Sequence, residues 1–514
     1  MKCFLGIDVG TSGVKAVVME KDGNIIGTGY VENNELITPE ALWAEQSPSG
    51  WWDAFRQAVK SAVLKSRASD RIVSMAVTGQ MLGNVMLDKD KKPIENCMIW
   101  MDQRSVNELE EFKHIVGAKR LIDITSNIAL TSLWVPKLLW IKKHRPDVFE
   151  KTNYVLFPKD YINFKLTGNI SIEVSDASGS ALLDVKNRKW SKELFNLCGI
   201  PSTWVPAELY ESQDCIGILL PEVAHELGLS EGVTVAAGCG DQSACGIGSG
   251  AVKEGIVSAT IGTSGVVFAA TNQVIPDNAG AAAMGYCHAI PKMWCKFGCT
   301  LGAGGSLKWA RDTFFAYEAE RSREKGQNPY DKMTEYAGRS GIGSEGLIFL
   351  PYMNGERTPH PDPFAKGVFF GLSYRHNLES IFRSIMEGVT MSLRDTIELL
   401  RMAGIGVQSV YASGGGAKSA LWRQMQADIF DAELIVNNVE ETGCVGAAIL
   451  AGVCAGEYPD VKSACEKIIK PVAVIEPIKE HVKRYDKYYD VYRNLYDCLK
   501  DDFNKLNFIM EKHS

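Results

Sequence analysis

Two copies of one pentapeptide carry the first chemical signal. Gly10-Thr11-Ser12-Gly13-Val14 recurs as Gly262-Thr263-Ser264-Gly265-Val266, 252 positions later. Each copy comes after an apolar run, Phe4 to Ile7 or Ile256 to Ile261, and precedes another, Val14 to Met19 or Val266 to Ala270. Such flanks predict a tight turn between antiparallel strands, with glycine free to take a positive φ. The amides and hydroxyls of such a turn can cradle phosphate oxygens. Gly10, Thr11, Ser12, Gly262, Thr263 and Ser264 are therefore candidate ligands of one polyphosphate gripped from two sides. The first copy also brings Asp8 and Lys15. Asp8 suits Mg²⁺, which takes oxygen ligands and keeps much of its water, and Lys15 suits a phosphate. The second copy is read with Ile261 and Val267 at those places, so it is expected only to clamp phosphate.

A second carboxylate stands alone. The strand-like run Val233 to Ala237 leads into Gly238-Cys239-Gly240-Asp241-Gln242. Phosphoryl transfer to a hydroxyl needs a group that takes the proton and aims the oxygen, a contribution of about 10²–10⁴ in rate. Asp241 is the candidate base and, with Asp8, a candidate metal carboxylate; its alternative is a helix N-cap, for which Ser243 is also suited. Polyol binding combines carboxylate, amide and apolar wall. Gln80, Met81, Leu82, Trp100, Asp102, Arg104 and Gln242 offer that mixture. Asp102 and Arg104 could instead form an ordinary loop ion pair.

The chain has no Gly-x4-Gly-Lys-Ser/Thr phosphate loop. Ser413-Gly414-Gly415-Gly416-Ala417-Lys418-Ser419 lacks the second glycine, but a Gly-rich strand-to-helix turn lets a nucleoside approach the backbone closely. Gly414, Gly415, Gly416, Ala417 and Lys418 are candidates for that contact. Gly246-x-Gly248-x-Gly250 reads as the start of a small-residue helix.

Elements that could position these residues alternate in type. Helical spacing runs over Trp51 to Ser66, Lys137 to Lys143, Leu378 to Leu400 and Trp422 to Phe430. Ile72 to Val77 and Ser409 to Ala412 read as strands, Thr442 to Ala448 opens a small-residue helix, and the tail from Glu480 reads as a terminal helix. At 514 residues the chain exceeds one core. It divides into two α/β domains, 1–248 and 249–514. A net charge of -7 without basic clusters argues against a nucleic-acid surface. Asp88 to Lys92 reads as a solvated turn. No 18-residue apolar window offers a membrane span. The 13 cysteines read as reduced core thiols, with zinc as the alternative for the Cys287, His288, Cys295 and Cys299 group, and together with an N-terminus that lacks a signal-peptide pattern this predicts a cytoplasmic location.

The ordered set of motifs resembles the FGGY carbohydrate kinases nearly end to end. Its pieces are Gly6-Ile7-Asp8-Val9-Gly10-Thr11-Ser12-Gly13-Val14-Lys15, Leu42-Trp43-Ala44-Glu45-Gln46 with Trp51-Trp52, and Phe157-Pro158-Lys159-Asp160-Tyr161. Leu350-Pro351-Tyr352, Gly355-Glu356-Arg357-Thr358-Pro359-His360 and Lys366-Gly367-Val368-Phe369-Phe370-Gly371-Leu372 continue it. The resemblance implies two ribonuclease-H-like domains of the actin and hexokinase type around a cleft. It implies ATP and Mg²⁺, Asp241 as base, Asp8 near metal, Gly304 at the nucleotide, and a small sugar near Met81, Leu82, Trp100 and Asp102. The branch that acts on D-xylulose is the most similar, and relatives suggest a homodimer. Leu82 and Gln242 depart from that branch, which has His and Asn there, so another pentulose, a hexose or a polyol is the alternative acceptor. An actin-like nucleotide switch without a sugar substrate is the alternative of another class.

Overall fold

The computed structural model describes residues 1–33, 36–40 and 42–511. In the first half the elements used below are β1 (Cys3–Val9), β2 (Gly13–Glu20), β3 (Ile25–Glu32), α1 (Pro48–Ser66) and β4 (Ile72–Gly79). They continue with α2 (Trp134–His144), α3 (Pro158–Thr167), β5 (Cys215–Ile218), β6 (Thr234–Gly240) and α4 (Asp241–Ser249). One sheet runs in the order β5-β6-β4-β1-β2-β3. Its inner strands β1, β2, β4 and β6 are near-continuous apolar runs buried on both faces, as a sheet covered by helices requires, while the edge strands β3 and β5 are partly exposed.

The second half repeats this plan. It contains β7 (Ile256–Ile261), β8 (Gly265–Thr271), β9 (Met284–Cys287), β10 (Trp294–Thr300), α5 (Gly304–Phe314) and β11 (Ile348–Leu350). It continues with α6 (Leu378–Met402), β12 (Ser409–Gly414), α7 (Ala420–Phe430), β13 (Glu433–Asn437), α8 (Thr442–Cys454), β14 (Pro471–Ile475) and α9 (Lys479–Glu511). The sheet order is β9-β10-β8-β7-β12-β13-β14. In both sheets an antiparallel hairpin, β1-β2 or β7-β8, has a parallel neighbour beside its first strand, β4 or β12. The duplicated pentapeptide therefore marks a duplicated topology.

The two identical turns are built differently. Val9 pairs with Val14, which leaves four residues in the first turn. Ile261 pairs with Gly265, which leaves three in the second. Turn length sets register, so the second hairpin is offset by one residue. The residue aligned with Asp8 in the second turn is Thr260, two before the glycine, which corrects the placement of Ile261 at that position.

Two helices cross between the sheets. α8, from the second half, lies on β1 of the first sheet: a Cβ on Gly6 would come within 1.9 Å of Cys444 O. α4 meets the second sheet, where a Cβ on Gly246 would lie 2.5 Å from the Phe268 ring. The helices touch through glycine: a Cβ on Gly248 would fall 1.9 Å from Thr442 O, and one on Gly446 would fall 2.0 Å from Ala244 O. Gly246, Gly248 and Gly250 thus lie at the end of a helix, with Gly250 at φ +89 as its left-handed cap, and not at a helix start. The division after 248 falls in the last turn of α4.

Candidate active site

Asp8 is the penultimate residue of β1, opposite Lys15 on β2. Burial pushes its carboxyl up to about 6; Lys15 opposes that shift and Glu441 adds to it. Its Oδ1 is buried and has no hydrogen-bond partner. Gly443 lies close beside it, where a Cβ would sit 3.1 Å from Oδ2. Lys15 is not free. Its Nζ lies 2.8 Å from Glu441 Oε2, just before α8.

Asp241 is the first residue of α4, with Gly240 as the N-cap residue, so it is not itself the cap. The pairing of β6 with β4 shifts register between Ala236 and Cys239. Gly238 takes φ +71 there, and a Cβ would collide with Val77 O at 1.8 Å. Such a bulge re-aims the residues beyond it. Gly240 N donates to Ser175 Oγ at 3.1 Å, and Ser175 Oγ donates to the buried Glu173 at 2.7 Å, which fixes the entry to Asp241. Burial pushes the Asp241 carboxyl up to about 7, with Asp8 adding to the rise and Gln242 opposing it. Gln242 Nε2 donates to Asp241 Oδ1 at 3.2 Å. The Asp8 charge acts on the Asp241 carboxyl, so the two groups lie within electrostatic reach of each other.

The first turn is wired to the candidate sugar loop. Trp100 Nε1 donates to Thr11 Oγ1 at 2.9 Å, and Thr11 Oγ1 donates to Gln80 Oε1 at 3.1 Å. Gln80 Nε2 donates to Gln46 Oε1 at 2.7 Å, and Gln46 Nε2 donates to Thr11 O at 2.8 Å. Gln80 therefore spends both ends of its amide inside this network. Ser12, beside it, is exposed. Met81 packs where a Cβ on Gly240 would be, within 2.8 Å. Leu82 holds φ +72, a left-handed backbone that a leucine rarely adopts. Its side chain lies against Gly179, 2.4 Å from the position a Cβ would take there.

Asp102 and Arg104 form a buried clamp. Arg104 Nη2 lies 2.6 Å from Asp102 Oδ2 and 2.7 Å from Glu45, and its guanidinium covers the Trp43 ring at 3.5 Å. Asp102 Oδ2 also accepts from Ala44 N at 2.8 Å. Asp102 is fully buried, so the pair holds the loop together from inside and the ion-pair alternative describes its placement.

The second turn gathers the remaining glycines. Gly304 N donates to Gly262 O at 2.8 Å, and Gly305 N donates to Thr263 O at 3.0 Å, which seats the start of α5 on the turn. Ile261 pairs with Gly414, whose φ is +74 and whose Cβ would lie 2.4 Å from Ile261 O. Gly262, Thr263, Ser264, Gly304 and Gly414 to Lys418 thus meet at one end of β7, and Gly262, Thr263, Gly414, Gly415 and Lys418 are exposed there.

Sequence reasoning missed two residues near the site. Lys137, fully buried on α2, donates to the carbonyls of Leu82, Met98 and Ile99 at 3.0, 3.2 and 2.8 Å. Burial lowers its ammonium to about 8. A lysine in the apolar stretch Trp134 to Ile141 was the available signal. Arg357, from the second half, places its guanidinium over the Trp100 ring at 5.5 Å from the centroid. Cys287 and Cys295 are buried in β9 and β10, as core thiols should be, but Cys299 is half-buried and Cys215 and Cys498 are exposed, so the core reading does not hold for every cysteine.

Two carboxylates at the ends of β1 and β6, and two glycine-rich turns on duplicated hairpins, are the parts that a phosphoryl-transfer site needs. Family models agree with that architecture: residues 3–248 match the N-terminal domain of the FGGY family of carbohydrate kinases, and residues 257–455 its C-terminal domain. The chain belongs to the FGGY family of carbohydrate kinases and is an ATP-dependent sugar kinase. It is 36% identical over 478 residues to a protein named xylulose kinase from Bacillus subtilis, covering 93% of each chain. It is similar to the crystal structure of ligand-bound xylulose kinase from Lactobacillus acidophilus, with TM-score 0.90, 25% identity, and coverage of 98% of this chain and 100% of that one. A gluconate kinase structure from Lactobacillus acidophilus is also similar, with TM-score 0.89, 25% identity, and coverage of 98% and 99%. No helix among the described residues is long and apolar enough to cross a membrane.

Proposed function

We propose that the protein phosphorylates the terminal hydroxyl of D-xylulose to give D-xylulose 5-phosphate. The observation that carries this reading is the placement of Asp8 near the end of β1 and of Asp241 just after β6, the two strands that flank β4 in one sheet, with the Asp8 charge acting on Asp241. Asp241 takes the proton of the hydroxyl as its oxygen attacks the γ-phosphorus of ATP, and ADP leaves. Gln242 holds Asp241 Oδ1 and leaves Oδ2 for the sugar. The first half, 1–248, supplies the base and the sugar loop, with Met81, Leu82 and Trp100 as its wall. The second half, 249–514, supplies Gly262 to Ser264, Gly304 and Gly414 to Lys418 for the nucleotide. Asp8, with its orphaned Oδ1, fits Mg²⁺, and Asp241 is the other carboxylate in reach. Held by these carboxylates, Mg²⁺ would supply charge neutralisation for the phosphates. We include a homodimer and a cytoplasmic location in this reading; light scattering and cell fractionation test them.

Names of similar proteins support a pentulose, while Leu82 and Gln242 favour a test that is not limited to it. Coupled ADP detection with D-xylulose, other pentuloses, hexoses, D-gluconate and pentitols decides. D-xylulose is expected to give the highest kcat/KM, and Asp241→Asn is expected to lower kcat by at least about 10² with ATP binding retained. A different best acceptor replaces D-xylulose in the reading; an active Asp241→Asn enzyme removes the base.

A further inference from the structure

Arg357 stands between two buried anchors. Glu356 accepts from Thr300 Oγ1 at 2.6 Å, from Leu301 N at 3.2 Å and from Arg357 N at 2.7 Å. Thr358 donates through Oγ1 to Ala282 O at 3.0 Å and through N to Cys299 O at 3.1 Å. Glu356 and Thr358 are both buried, at 3% and 0% exposure, whereas Arg357 is only half-buried. Main-chain position at 357 is therefore fixed by the second half, while the side chain extends over Trp100 of the first half.

That guanidinium lacks an anion. Among the described residues no carboxylate lies within ion-pair distance of it. It covers the Trp100 ring and bonds the Cys299 thiol, and its charge acts on the Tyr286 phenol and on another cation, Lys137. Cys299 is influenced by Asp241 as well, so the thiol is the neighbour that base and cation share. Arginine offers five N–H donors in a planar fork and no acceptor. Next to the aromatic wall of the sugar loop, those donors suit an oxygen lone pair supplied by the bound molecule.

We propose that Arg357 is a substrate-binding residue whose guanidinium donates to the carbonyl-bearing end of the acceptor sugar, above Trp100 and away from the hydroxyl that meets Asp241. The proposal rests on the ketose reading above. It makes recognition of the ketone a property of both halves together, one giving the aromatic face and the other the donor.

Steady-state kinetics on the full chain test it, with D-xylulose, the two pentitols formed by its reduction, and ATP each varied for wild type, Arg357→Met and Arg357→Lys. Losing a charged hydrogen bond of about 1.5–3 kcal/mol corresponds to roughly a 10- to 150-fold rise in KM. Arg357→Met is expected to show that rise for D-xylulose, with pentitol and ATP constants within about twofold, and Arg357→Lys to fall between. Thermal unfolding checks that each variant is folded; if Arg357→Met is not, Arg357→Lys alone is judged by the same split. A rise in the ATP constant with D-xylulose unchanged, or an equal loss for ketose and pentitol, overturns the proposal. Wild type that phosphorylates D-xylulose while both variants keep its KM overturns the proposal alone. Wild type that turns over no ketose overturns the ketose reading and the proposal with it.

Discussion

Thr11 Oγ1 stands between Trp100 Nε1 and Gln80 Oε1, at 2.9 and 3.1 Å. One hydroxyl thereby links the first glycine-rich turn to both segments of the candidate sugar loop. Thr11→Val keeps the shape and removes both bonds. An unpaired buried partner costs about 1–3 kcal/mol, or roughly 5- to 150-fold. The expected result is a fall of that size in kcat/KM for sugar and ATP alike. A fall confined to ATP would show that the hydroxyl serves phosphate alone.

Lys137 pins the candidate sugar loop through three backbone carbonyls. Lys137→Met leaves the carbonyls of Leu82, Met98 and Ile99 without their donor. The variant should lose stability by about 3 kcal/mol or more and show a raised sugar KM at temperatures where it remains folded. Melting curves together with KM for each substrate check this; an unchanged sugar KM would confine Lys137 to a role in stability.

Gly446→Ala drives a methyl group to within 2.0 Å of Ala244 O, where α4 and α8 cross. Overpacking costs about 1–3 kcal/mol, and here the obstruction is backbone, so the upper end is expected. Chemical denaturation reads the loss. A stability equal to wild type would mean that the helices separate freely at this point.

Glu356 gives a pH dependence with a definite sign. Burial, opposed by bonds from Thr300 and from the Arg357 and Leu301 amides, raises its carboxyl to about 8. A carboxyl raised in the folded state stabilises fully below its unfolded value of about 4.3. That contribution fades as pH rises through about 8. Each such proton changes stability by about 1.4 kcal/mol per pH unit. Wild type should lose melting temperature between about pH 5 and 9 more steeply than Glu356→Gln. Asp395, raised by burial to about 7, keeps some slope in the variant. Parallel curves for the two proteins would remove Glu356 from this effect.

Local chemistry was the legible part of the sequence. Apolar flanks located both hairpins, and a glycine-bounded carboxylate after a strand located Asp241, because each signal lies within about ten residues. The features that escaped depend on partners far along the chain. Lys15 looked free for phosphate, but Glu441 reaches it from the second half. Arg357 belonged to a recognisable motif, yet its facing residue, Trp100, comes from the other sheet. Even identical pentapeptides differ in register, since strand pairing outside the turn decides how many residues remain within it.

The exchange of helices between the sheets bears on how this gene could be split. A fragment ending after 248 would keep β1 but lack α8, and Gly6 would face water where Cys444 now lies. The complementary fragment would lose α4 and expose Phe268. Neither piece carries its own lid of helix, so the halves that duplication made separable have become interdependent. Co-expression of the two pieces, rather than either alone, is the arrangement in which such a split enzyme would assemble.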